Sequence, residues 1–338
     1  MLRVVCAKAL LVFSLFFSIQ VFADTIDLIK ERDRLKCGIS TGLVGFSNLD
    51  EQGQWQGFDV DFCKAMAVAL LGDASKVEYV PLSAKTRFTA LIGGEVDILV
   101  RNTTWNFTRD NTLGIAFSVV NFYDGQGFML RESMSINEVK QLSGASICVT
   151  QGTTSERNLA EYFHAHNINY KAVYFDRADQ MSMSYDAGRC DVMTADTSAL
   201  VGLKTLMKNP DQHVILKQTI SREPLAIATR DNQMRLLKLS RWVLWSMLTA
   251  EELGVSQKNI AQFTKGKNTQ VDRLLSLNEA ACASLSVDKY FVADIIKQVG
   301  NYADVFDRNL GSGSALGLSR SLNALWSNGG LQYAPPMH

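Results

Sequence analysis

Between Leu35 and Val100 short apolar runs alternate with longer stretches in which apolar residues recur every three or four positions. The short runs, Leu35 to Ile39, Val77 to Val80 and Val96 to Val100, read as strands. The periodic stretches, Asp59 to Leu71 and Lys85 to Ile92, read as helices stopped by Gly72 and by Gly93-Gly94. The same order returns downstream as strand Ile147 to Val149, helix Thr154 to His164, strand Ala172 to Phe175, helix Ala178 to Ala187 and strand Cys190 to Thr194. Strands that alternate with helices predict largely parallel sheets covered on both faces. Gly94-Glu95-Val96-Asp97-Ile98 and Gly188-Arg189-Cys190-Asp191-Val192 share one order of glycine, aspartate and apolar residues, marking equivalent helix-to-strand turns. The fold class is therefore α/β, in two similar lobes.

Two extended apolar segments, Gly125 to Leu130 and Ser221 to Thr229, suit strands that cross between the lobes and form a hinge. This predicts a lobe I of residues 24–128 and 226–338 and a lobe II of residues 129–225. Helical patterns over Met234 to Leu248, around Ile260 and over Val292 to Val299 are expected to pack on lobe I. Asn301 to His338 reads as a tail of loops and helix in which Leu316 to Trp326 is amphipathic.

Met1 to Ala23 has the form of a secretory leader: basic Arg3 and Lys8, an apolar run from Ala9 to Phe22, and small Ala23 at the cleavage site. That run is shorter than the roughly 20 residues of a membrane-spanning helix, so the product is expected to be exported and periplasmic. The chain carries 34 basic and 34 acidic residues; loss of Arg3 and Lys8 leaves 32 against 34, a net charge of −2. Such a balance gives nucleic acid or anionic lipid no reason to bind. Five cysteines follow the leader, and two pairs each fall within one compact strand-helix or strand-strand unit. Disulfides Cys37 to Cys63 and Cys148 to Cys190 are expected, with Cys282 left as the odd thiol.

The chemistry gathers where strands end. Val96 to Val100 opens into Arg101-Asn102-Thr103-Thr104 and then Arg109; in an open α/β sheet that end faces the ligand crevice. Arg109 offers the planar fork that matches a carboxylate, Thr104 a hydroxyl, and Asn102 a main-chain carbonyl. In the second lobe Gly152-Thr153-Thr154 with Glu156 has the capping-box form, a helix start whose free N–H groups suit an anion. Gly152 permits close approach to the backbone, Asp196 suits an ammonium, and Arg87 is placed to reach a ligand's side chain. Carboxylate and ammonium partners split between two lobes are what a zwitterion needs.

With Gly57-Phe58-Asp59-Val60-Asp61-Phe62 and the tail segments Leu322 to Trp326 and Gln332 to Pro336, these motifs make the chain resemble the periplasmic solute-binding proteins of polar amino-acid ABC transporters, within bacterial extracellular solute-binding protein family 3. The resemblance spans Asp24 to His338 and implies a type II periplasmic-binding-protein clamshell that captures L-amino acids, broadly but favouring Glu, Gln, Asp and Asn, and delivers them to a membrane permease. It implies that Arg109 and the Gly152, Thr153 and Thr154 region hold the α-carboxylate while Asp196, Thr104 and the Asn102 carbonyl hold the α-ammonium, with Arg87 reading an acidic side chain. Ser40 and Leu43 stand where basic amino-acid binders look to have acidic and aromatic residues, which argues against lysine or arginine. A monomer without metal or cofactor is expected. The rival reading is an enzyme on the same architecture, such as a cyclohexadienyl-type dehydratase. An enzyme needs a placed acid, base or nucleophile. His164, His166, His213 and His338 all lie away from the cleft segments, and no Gly-x-Ser-x-Gly or metal-spaced cluster occurs, so no catalytic residue is assigned.

Overall fold

The computed structural model describes residues 24–337; the leader reading of Met1 to Ala23 lies outside them. The chain begins with α1 (Thr25–Arg32), β1 (Leu35–Ser40), a hairpin of β2 (Asn48–Leu49) and β3 (Trp55–Gln56), and α2 (Phe58–Leu71). It continues through β4 (Val77–Leu82), α3 (Arg87–Ile92), β5 (Ile98–Leu99), α4 (Phe107–Thr112) and the long β6 (Ile115–Asp124). After Gly125 come β7 (Gln126–Arg131), β8 (Ser146–Thr150), α5 (Thr154–Ala165), β9 (Lys171–Phe175), α6 (Ala178–Asp186), β10 (Val192–Asp196), α7 (Thr197–Lys204) and β11 (His213–Ile215). The last part is β12 (Glu223–Arg230) with α8 (Met234–Glu252), α9 (Thr269–Leu275), α10 (Glu279–Ser284), α11 (Phe291–Gln298) and α12 (Tyr302–Asn309).

Strand pairing divides these elements into two five-stranded sheets, ordered β4-β1-β5-β12-β6 and β11-β7-β10-β8-β9. In the first, β1 runs parallel to β4 and β5, and β12 runs antiparallel to β5 and β6. In the second, β8 runs parallel to β9 and β10, and β7 antiparallel to β10 and β11. The chain changes sheet at Gly125 and rejoins the first sheet at Glu223, where the sequence pattern placed the changes after 128 and after 225. Pairing decides this: Gln126 to Leu130 already lie opposite Asp196 to Val192.

The shared turn is built the same way in both lobes. Gly94 (φ 75°) and Gly188 (φ 81°) take the left-handed backbone that favours glycine. Asp97 then accepts Lys36 N–H at the start of β1 (2.8 Å), and Asp191 accepts Ser146 N–H at the start of β8 (2.8 Å). Each aspartate thus fixes the start of a neighbouring strand, and with it where the strand ends.

The helix α2 is buried on nearly every face because it lies between the first sheet and the C-terminal helices α8, α11 and α12. Phe46, Phe58, Phe62, Phe122, Tyr302 and Phe306 interlock there with ring centroids 5.0 to 6.3 Å apart. Leu316 to Trp326 forms no α-helix. Its apolar positions Leu316, Leu318 and Leu325 pack onto the core instead, while Asn323 exchanges two hydrogen bonds with the main chain of Tyr123 near the end of β6. Among the described residues no helix is long and apolar enough to cross a membrane.

Both expected disulfides form, Cys37 with Cys63 and Cys148 with Cys190, while Cys282 is buried and free. They close 26 and 42 residues of chain, and restricting the unfolded chain in this way contributes about 3 to 4 kcal/mol each. Titration of the chain from Asp24 onward, denatured but not reduced, is expected to find one reactive thiol; five would contradict the pairing.

Candidate functional site

The carboxyl ends of the central strands of both sheets face one another across a cleft of ≈ 60 Å³. Lobe I lines it with Ser40 at the end of β1, Thr41 and Leu43 after it, Ser83 and Ala84 after β4, Arg87 of α3, and Arg101, Asn102 and Thr104 after β5. Lobe II supplies Thr150, Thr153, Thr154 and Ser155 around the start of α5, Asp176, Arg177, Ala178 and Met181 around the start of α6, and Thr194 to Asp196 with Ala199 and Leu203 from β10 and α7.

On lobe I the chain leaves β5 without starting a helix. Asn102 takes φ 31°, held by Asp59 Oδ2, which accepts its N–H at 3.1 Å. Thr103 to Trp105 then run beside the start of β12: Ala226 N–H donates to Thr103 O and Trp105 N–H to Pro224 O, both at 2.9 Å. The hinge strand thereby fixes Thr104 at the cleft. Asn106 caps α4, and one guanidinium nitrogen of Arg109 donates to Thr104 O at 2.8 Å. Arg109 thus stands behind Thr104 rather than in the cleft wall, and its other N–H groups donate to no acceptor among the described residues.

Arg87 is only 3% exposed, and its two bonds, to Thr103 Oγ and across the cleft to Gly152 O, are long at 3.4 Å each. Its Nε has no hydrogen-bond partner, and no carboxylate among the described residues forms an ion pair with it. Burial, then Arg101 and Arg109 nearby, hold its pKa well below the usual arginine value. Burial also lowers Arg101 and Arg109 to about 10 each, partly offset by Asp59 beside Arg101 and by Glu223 beside Arg109. Three guanidiniums are thus crowded out of water here, Arg87 and Arg101 in the cleft wall and Arg109 behind it.

Across the cleft Thr153 caps α5 by accepting Glu156 N–H at 3.2 Å, while Glu156 reaches back to Gly152 N–H at 2.8 Å. Asp196 ends β10 and stands at the N-cap of α7, yet its side chain makes no capping bond. Asp124, at the end of β6, does that work by accepting Ser198 N–H at 3.2 Å. The Asp196 carboxyl is left facing the cleft, raised well above the ordinary range by burial and then by Asp124 and Glu223. Burial raises Asp124 to about 6 and Asp59 to about 7.

The structure therefore brings Arg87, Asn102, Thr104, Thr153, Thr154 and Asp196 to one cleft, with Gly152 at its rim and Arg109 one layer behind. Arg101, Ser40, Thr41 and Met181 also line it, and Glu223 binds Thr104 and Thr154 from the hinge side. The lobes touch at Thr104 and Thr154 (Oγ to Oγ 3.2 Å), through the Lys85–Asp176 ion pair, and at Gly202, where a Cβ would lie 2.7 Å from Val44 O.

The model of the bacterial extracellular solute-binding proteins, family 3, matches residues 35–274. The general L-amino acid-binding periplasmic protein AapJ of Rhizobium johnstonii is 46% identical over 93% of this chain and 93% of its own. The glutamate/glutamine/aspartate/asparagine-binding protein BztA of Rhodobacter capsulatus is 44% identical, again over 93% of each chain. A solved periplasmic binding protein of an ABC transporter from Brucella ovis, with glutathione bound, is 47% identical, covers 94% of this chain and all of its own, and superposes with a TM-score of 0.91. The two-sheet clamshell and these likenesses agree: the chain belongs to the bacterial extracellular solute-binding proteins, family 3, as a periplasmic binding component of an amino-acid ABC transporter.

Proposed function

We propose that the protein captures L-amino acids in the periplasm, after removal of the leader at Ala23, favouring those with acidic or amide side chains. It binds them without chemical change and hands them to a membrane permease. The observation that carries this reading is the opposition of charge across the cleft: Arg87, Arg101 and Arg109 on lobe I against Asp196 on lobe II. Arg109, reaching past Thr104 with the N–H groups that have no acceptor, and the free N–H groups at the start of α5 hold the α-carboxylate; Asp196, Thr104 and the Asn102 carbonyl hold the α-ammonium. Arg87, buried without an acidic partner of its own among the described residues, takes a second carboxylate or an amide oxygen. The printed names of AapJ and BztA support this ligand class. The glutathione of the Brucella ovis protein also fits, since glutathione has a free α-amino and α-carboxyl group at its glutamyl end. Lobe I (24–124 with 223–337) and lobe II (126–215) close about Gly125 and residues 216–222.

A thermal-shift screen over the twenty amino acids and glutathione is expected to show stabilisation by glutamate, glutamine, aspartate and asparagine, since a ligand of the folded state raises its stability. Recovery of the ligand unchanged separates binding from dehydratase-type chemistry. Arg87→Ala is expected to weaken these side chains about tenfold or more, the scale of a lost charge-assisted bond, and to spare alanine or serine. Arg109→Ala is expected to weaken every amino acid; equal losses in both variants would refute this division.

An ammonium beside Asp196 favours its ionised form, so capture must release the proton that the raised pKa retains. A carboxyl raised in the folded state loses stability for the fold as pH climbs from the unfolded value, and a cationic ligand group restores it. Affinity is therefore expected to fall as the medium is made more acid and to level off above the pKa of the Asp196 and Asp124 pair. Calorimetry in buffers of different ionisation heat should show proton release in the acid range; pH-independent affinity would contradict it.

Gly202 lies within α7, where alanine favours the helix by about 1 kcal/mol. Its barrier to a side chain is Val44 O across the cleft. Gly202→Ala is expected to leave the melting temperature without ligand unchanged or higher, while weakening capture and holding the lobes apart in small-angle scattering. Unchanged affinity would show that these lobes need not meet there.

A further inference from the structure

Glu223 begins the hinge strand β12 and is 2% exposed, yet none of its four partners is charged. Its Oε2 accepts from Thr104 Oγ at 2.5 Å and from Thr154 Oγ at 2.9 Å; its Oε1 accepts from Ser221 Oγ at 2.6 Å and from Asn158 Nδ2 at 2.7 Å. Thr104 belongs to lobe I and Thr154 to lobe II, so this carboxylate joins the two walls of the cleft at the point where they meet.

A carboxylate only accepts, and a hydroxyl has one proton to give. Both threonines line the cleft with Oγ atoms 3.2 Å apart, but each already donates its proton to Glu223, so neither has one for the other or for a ligand. What they present to the cleft is lone pairs. We infer that Glu223 is a positioning residue for specificity: by taking the protons of Thr104 and Thr154 it commits both hydroxyls to accept from the α-ammonium of the ligand. This rests on the amino-acid reading above and sharpens it. The Thr154 hydroxyl leaves the set that holds the α-carboxylate, which falls to Arg109 and to the main-chain N–H groups at the start of α5. A ligand that lacks the ammonium would face two hydroxyl oxygens and Asp196 with nothing to donate to them.

Glu223→Gln tests this while keeping shape. The amide has one acceptor oxygen; with Asn158 Nδ2 and Ser221 Oγ donating to it, its NH2 group turns to the threonines, which then accept and are free to donate into the cleft. The measurement is calorimetric affinity for L-glutamate and for glutarate, the same dicarboxylate without the amino group. The unaltered protein is expected to prefer glutamate strongly. Glu223→Gln is expected to weaken glutamate by about tenfold to a hundredfold, the range for a hydrogen bond to a charged group, and to leave glutarate unchanged or tighter. An equal loss of both ligands, or no loss of glutamate, overturns the inference and leaves the amino-acid reading standing. Failure of the unaltered protein to bind glutamate overturns the reading and the inference with it. Should Glu223→Gln not fold, Thr154→Val carries the test, since it keeps the main-chain N–H and removes only the hydroxyl: glutamate alone should weaken, whereas equal weakening of glutarate would show the hydroxyl donating to carboxylate and sink the proposal.

Discussion

Arg87 brings a guanidinium into a place where burial and two neighbouring guanidiniums all oppose its charge, and its own protein partners are two long bonds to neutral oxygens. Isolating a charge in this way is expensive unless a counter-charge arrives. Asp196 presents the mirror problem on the other lobe, a carboxyl raised by burial and by two further carboxyls. The two walls favour one another's charge, Asp196 that of Arg87 and Arg87 that of Asp196, yet burial outweighs this on both sides and no ion pair joins them among the described residues. A molecule carrying carboxylate at one end and ammonium at the other resolves both at once. Under the proposed function the burial of charge on the two walls and the zwitterionic nature of the ligand are thus one constraint.

The duplicated frame supplies the geometry for that opposition. Gly94 with Asp97 and Gly188 with Asp191 fix the starts of β1 and β8 by the same two-part device, so equivalent strand ends point into one cleft. The two ends then differ. After β5 the chain stays irregular and displays a hydroxyl and a carbonyl at Thr104 and Asn102; after β10 it turns at once into α7 with Asp196 at the corner. Local departures at two matched positions thus bring acceptors from both lobes, Thr104 and the Asn102 carbonyl from one and Asp196 from the other, to the same cleft.

Much of this was readable because it is local. The capping pattern of Thr153 and Glu156, the strand-end position of Asp196, the matched Gly-x-x-Asp turns and the cysteine pairs each depend on residues close in sequence or on repeated element order. What was not readable depends on distant pairing. Glu223 meets Thr104 across 119 positions, and Arg109 lies behind Thr104 because β12 pulls Thr103 to Trp105 against it. The amphipathic pattern of Leu316 to Trp326 suggested a helical face, but its apolar side chains reach the core from an irregular segment whose Asn323 is tied to the distant Tyr123 of β6.

The hinge connects these terms. Asp124 stands just before one crossing and Glu223 just after the other, and each binds groups of lobe II from a position on the sheet of lobe I. Asp124 caps α7 so that Asp196 need not, and Glu223 gathers hydroxyls from both walls. The bonds of Asp124 with Ser198 and of Glu223 with Thr154 and Asn158 span the lobes, whereas Glu223 meets Thr104 on its own side, so the Thr154 part of this network needs the lobes together. Under the proposed function recognition and closure coincide at Thr154, where an ill-matched solute would leave polar groups of the closing lobe without partners.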